Sequence, residues 1–150
     1  MSLDTAFQVA FALSILGWVL LFLFPRKRLV NLWLCGWIIP AVFAVIYCVL
    51  CAMFWGDATG GFLERFGSLA GVLRMFNEAT GLLFAGWVHY LCFDLFIGAW
   101  QARYATAVRL PYLALFPCLL VTLLFGPAGL LLFQIILVVT GRHSAANAEP

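Results

Sequence analysis

Residues 86–100 read GWVHYLCFDLFIGAW. They lie inside an apolar run from Ala79 to Gln101, which is long enough to cross a bilayer as a helix. His89, Tyr90 and Asp94 stand in the middle of that run, with Trp87, Phe93 and Trp100 close by. Placing an ionisable group in hydrocarbon is costly. A segment that only anchored the chain would carry leucine there, so this helix is expected both to span the membrane and to carry the function.

The composition fits a membrane protein. Hydrophobic residues make up 66% of the chain and charged residues only 9%, well below the usual share of a soluble domain. The net charge is +2 and the basic residues form no extended patch, which argues against a nucleic-acid partner. Six Trp and fifteen Phe suit interfacial belts and the walls of a site for a flat, apolar ligand.

Hydropathy divides the chain into four spans, about 5–24, 29–55, 79–101 and 111–140, followed by a disordered tail over 141–150. The fold class is therefore an all-α integral membrane protein: a four-helix transmembrane bundle forming a single domain. The first span lacks a basic leading region and is followed by Pro25-Arg26-Lys27-Arg28, so it is expected to remain in the membrane rather than be cleaved. Arg26, Lys27 and Arg28 lie between spans one and two, and Arg103 and Arg109 between spans three and four. Arg65, Arg74 and Arg142 fall on the other side, together with Asp4, Asp57, Glu64, Glu78 and Glu149. The positive-inside rule then puts the short basic loops in the cytoplasm and both termini outside.

The long connection after span two opens with turn chemistry, DATGG at 57–61, and continues into a short amphipathic helix capped by Ser68. Leu69, Val72, Leu73 and Phe76 form its expected apolar face, lying on the membrane surface or dipping in beside the bundle. Pro40 interrupts span two. Gly126-Pro127-Ala128-Gly129 interrupts span four, which at 30 residues is longer than the hydrocarbon is thick and is expected to bend there. All five cysteines fall within spans. Cys48 and Cys51 have C-x-x-C spacing, but no basic residue nearby would support a thiolate, so they read as small apolar residues.

On a helical wheel Trp87, Asp94 and Gln101 share one face of span three, with Tyr90 and Gly98 one turn either side of Asp94. Glu78, His89 and Trp100 share another. His89 and Asp94 are about 140° apart, too far to meet one small molecule from a straight helix. No metal-ligand spacing, phosphate loop or dinucleotide fingerprint occurs. What remains is acid–base chemistry or hydrogen bonding by His89, Asp94 and Tyr90 in an apolar site.

The run Trp87-x-His89-Tyr90-Leu91-x-Phe93-Asp94-Leu95-Phe96-x-Gly98-x-Trp100 resembles the core motif of the abscisic-acid-deficient-four-like membrane proteins. GSLAGVLRMF at 67–76 and LLFGPAGLLLF at 123–133, with Pro117, also look like segments of that family. The resemblance implies four transmembrane helices. It also implies a role like that of the plant members, which are needed for opening a carotenoid epoxide to an allene with loss of a proton. Such a step needs an acid and a base, which by motif position would be His89 and Asp94, and no external cofactor. Trp87, Tyr90, Phe93 and Trp100 are expected to wall the ligand site, with Glu78 at its mouth. The absence of a transit peptide suggests a bacterial inner-membrane member, with both termini periplasmic. The expected partners are membrane lipid, a carotenoid-like or isoprenoid ligand, and a membrane protein partner or second copy. The alternative is a non-catalytic scaffold or accessory subunit of a pigment-related complex. A transporter is the weakest reading, since four short spans carry no inverted repeat.

Overall fold

The computed structural model describes residues 2–142. These residues are almost entirely helical, and no strand occurs among them. Most of the segment expected to form a tail, 141–150, lies outside the described residues.

Three helices are long and apolar enough to cross a membrane: Leu3–Leu23, Leu29–Asp57 and Thr80–Ala107. The first, α1 (Leu3–Leu23), starts at Ser2, whose hydroxyl accepts from the Thr5 amide at 3.2 Å. The second begins as a wide π-wound stretch, Leu29–Ile38, and passes directly into α2 (Ile39–Phe54). In the wide stretch the amide of Ile39 reaches back five residues to Leu34. The winding changes where Pro40 supplies no N–H. Arg103 uses this irregularity. Its guanidinium packs across Gly36, where any side chain would collide with it, and donates to the carbonyl of Asn31.

The third long helix, α5 (Thr80–Ala107), is the axis of the protein: it touches α1, the π-wound stretch, α2 and each of the later helices. Small residues set the close approaches. Gly98 of α5 lies against Trp18 and Leu21, Gly17 of α1 against Leu95, and Gly81 under the ring of Phe54. Such approaches drive packing where lipid removes the hydrophobic force between helices.

The connection between α2 and α5 is an ordered cap made of α3 (Phe62–Phe66) and α4 (Leu69–Glu78). Arg65 is buried beneath it. Its guanidinium donates to the carbonyls of Gly60, Trp55 and Ala58 and lies over the Trp55 ring at 4.9 Å. Ser68 caps α4 as expected, accepting from the Gly71 amide at 3.1 Å. The expected apolar face is only partly the inward one. Gly71 and Met75 are buried and Phe76 half-buried, whereas Leu69 and Leu73 point outward. Gly71 sits directly on the backbone carbonyls of Glu64 and Arg65, and that contact rotates the helix.

The fourth expected span is not one helix. It divides into α6 (Tyr112–Leu124) and α7 (Gly126–Val139), each too short to cross alone at about 1.5 Å per residue. The chain also reverses between them. The Tyr90 hydroxyl donates to the carbonyls of Leu123 and Leu124 at the end of α6. Gly126 lies against Asp94 and Gly129 against Thr122. Gln101, further along α5, donates to the Gly129 carbonyl at 3.2 Å, and the Phe133 ring meets Trp100 and Tyr104. Successive residues of α7 therefore run alongside α5 in the same direction, and α6–α7 is a helical hairpin. Arg142 ends on the side of Arg109, opposite Ser2. The expected position of the C-terminus itself lies outside the described residues.

Candidate functional site

Asp94 occupies the middle of α5 and is only 5% exposed. Its carboxyl lies against Gly126, the first residue of α7, where a side chain of any size would displace it. Pro127 fits this first turn because its missing N–H has no partner to lose there. The carboxyl thus faces the positive end of a half-helix at membrane depth. Tyr90, one turn earlier, is the phenol that interacts with it. The Asp94 Oδ2 atom is nevertheless buried without a hydrogen-bond partner among the described residues. A buried polar atom left without a partner is costly and calls for an explanation.

Above this point the hairpin stops, and a fourth full span is missing from the α1–α5 surface. The result is an apolar groove of about 580 Å³ walled by Leu3, Phe7, Leu83, Phe84 and Trp87, with Tyr90 at its inner end and Asp4 and Thr80 at its outer rim. The Phe7 ring lies 5.8 Å from Phe84 and 6.0 Å from Trp87, and Trp87 stacks on Tyr90 at 5.4 Å. Tyr90 links groove and hairpin: its ring lines the first, and its hydroxyl holds the freed carbonyls of the second.

Of the residues singled out from the sequence, Trp87 and Tyr90 come together in this groove, and Asp94 lies one helical turn beyond its floor. His89 does not join them. It is exposed on another face of α5, 5.7 Å from the Tyr47 ring and 4.6 Å from the Phe93 ring. It lines a smaller groove of about 240 Å³ with Tyr47, Cys51, Trp55 and Phe66. Phe93 lines neither groove, and Trp100 packs on Phe133 further down α5. Glu78 is tied to the cap. Its carboxylate accepts from the Thr59 amide at 2.8 Å and from its hydroxyl, and these bonds hold it below the usual carboxylate range. His89 and Asp94 thus lie on different faces of α5, as their five-residue separation on the helical wheel leads one to expect.

Leu3, Phe7, Leu83, Phe84 and Gly126 were not expected in the site. Gly126-Pro127 carried a usable signal, since proline directly after glycine is a helix-start pattern as well as a break. The α1 residues carried none, because only the packing against α5 brings them there. No cluster of three or more His, Cys, Asp or Glu side chains that could hold a metal ion occurs among the described residues.

No curated protein and no solved structure matches this chain. A family model described as ABA DEFICIENT 4-like matches residues 5–133. The match takes in α1 to α6, the hairpin tip and the start of α7, and so all of the site just described. The chain belongs to the ABA DEFICIENT 4-like family.

Proposed function

We propose that this protein is a multi-pass membrane protein, of three crossings and one re-entrant hairpin, that draws a carotenoid-like or other isoprenoid molecule from the lipid into the α1–α5 groove. There it catalyses an acid–base isomerisation of the end group. The observation that carries this reading is the buried, unpartnered Oδ2 of Asp94 just beyond an aromatic groove that ends on Tyr90. Aromatic walls suit a conjugated chain, and few polar groups suffice to fix its end. Tyr90 and Asp94 together take the acid–base role, with no cofactor required, and His89 stands outside that step. The plant family members' epoxide opening is the same class of chemistry, a proton delivered to oxygen and another removed from carbon.

Mild detergent extraction from carotenoid-producing cells is expected to yield protein with a visible polyene absorption spectrum, which Trp87→Ala weakens. Pigment-free protein from such cells, unable to take up an added polyene, would overturn the ligand assignment. Binding without any turnover would favour the scaffold reading.

Charge supports an orientation. On the side of the short loops, Arg26, Lys27, Arg28, Arg103, Arg109 and Arg142 stand among the described residues with no acidic partner. On the other side, Arg65 and Arg74 are accompanied by Asp4, Asp57, Glu64 and Glu78. The hairpin thus moves Arg142 to the basic side and strengthens the positive-inside bias. Ser2 is then external and Arg142 cytoplasmic, in a bacterial inner membrane. In a background with the native cysteines replaced by alanine, cysteines introduced at Lys27 and Arg142 are expected to label from the same face, opposite one at Gly60. Labelling of position 142 together with position 60 would overturn the hairpin topology.

A further inference from the structure

The two grooves on α5 share two residues, Phe76 and Gly86. A side-chain carbon built on Gly86 would lie 3.4 Å and 3.5 Å from atoms of the Phe76 ring, so the ring rests on the glycine. Gly86 is thus a saddle on the surface of α5, and the Phe76 ring is the partition across it. We propose that the two grooves are halves of one binding site for a long, flat apolar chain, a polyene or polyisoprenoid, which becomes continuous when the Phe76 ring moves off Gly86.

This rests on the proposed use of the larger groove as a lipid site and extends it to the size of the ligand. Phe76 is only half-buried and sits on α4, a helix joined to α5 through the single residue Ala79. Side-chain rotations of this kind are fast compared with ligand exchange. Both halves offer ring faces: Phe7, Phe84 and Trp87 on one side, Trp55, Phe66 and His89 on the other. A compact molecule fits the larger groove alone. Only an elongated one crosses the saddle and meets Tyr90 and His89 together. The arrangement gives His89 a place in the site despite the angle of about 140° that separates it from Asp94.

The test uses the full-length protein in nanodiscs with two probes, β-carotene as the long polyene and retinol as the short one. Gly86→Leu builds a wall on the saddle. It is expected to weaken β-carotene binding about tenfold or more beyond any effect on retinol, which needs only the larger groove. Phe76→Ala removes the partition and is expected to speed β-carotene association severalfold more than retinol association. If Gly86→Leu weakens both probes equally or neither, the joined site is overturned while the larger groove stands. If wild-type protein binds neither probe, the groove assignment itself fails. Should Gly86→Leu not fold, as judged by its thermal melt, Phe76→Ala decides alone: an unchanged β-carotene association rate overturns the proposal.

Discussion

Asp94→Asn is expected to reduce turnover by about two to four orders of magnitude, the usual contribution of a positioned acid or base, while the protein still inserts and folds. Asparagine has nearly the same shape, so the contact with Gly126 survives. The amide cannot ionise, so the variant buries no charge, and its NH2 stands in for an oxygen that no described group bonds, so no hydrogen bond is lost. The melting temperature in detergent should therefore stay level or rise, the pattern of a residue kept for activity rather than stability. Gly126→Ala provides the complementary measurement. It leaves the carboxyl chemically intact but forces it off the α7 N-terminus, because the added carbon would occupy the carboxyl's place. Activity should fall without a change in ligand binding. Turnover is read as conversion of the co-extracted pigment by chromatography. An Asp94→Asn protein that is folded and fully active removes Asp94 from the mechanism. One that does not accumulate marks Asp94 as structural.

The sequence discloses the membrane helices and the importance of α5 because both are local properties. Hydropathy over some 20 residues finds a span, and 100° per residue separates the His89 face from the Asp94 face. The Ser68 cap is equally local. The direction of the chain after Phe125 is not. Gly126-Pro127 says that a helix stops and another starts, but the choice between a kinked crossing and a return depends on Gln101, which meets Thr122 and Gly129 from a distant part of the chain. The same holds for the groove. Trp87 and Tyr90 reveal themselves as aromatic neighbours of Asp94. The opposite wall comes from α1, and the open space exists because the hairpin turns back at that depth. Phe93 and Trp100 lie outside this groove, and the surroundings of Trp100 are likewise set from afar, by Phe133 of α7.

Gly129→Val is expected to destabilise the folded protein strongly, because this glycine is where the hairpin closes. A side-chain carbon at position 129 would fall on the hydroxyl, the amide nitrogen and the Cα of Thr122. A flexible side chain would swing away, but helical backbone has nowhere to go, so α6 and α7 must separate. Overpacking of this kind costs about 1–3 kcal/mol and sometimes more. Separation also breaks a buried polar cluster. Gln101 is fully buried, its Nε2 donates to the Gly129 carbonyl at 3.2 Å, and its Oε1 lies 3.1 Å from the Thr122 hydroxyl. Stranding that amide adds about 1–3 kcal/mol. The sum is a large part of a total stability of about 5–15 kcal/mol. Gln101→Leu, which removes the cluster but leaves the glycine contact, should cost only the second part and still yield folded protein with a lowered melting temperature. Gly56→Ala, where an added carbon meets nothing within 4 Å, should melt like wild type. Thermal unfolding followed by thiol reactivity suits these variants, since Cys35 and Cys118 are buried in the native state. A Gly129→Val protein that melts with wild type would mean that α7 does not fold back on α6. The open groove above the hairpin would then have to be explained without it.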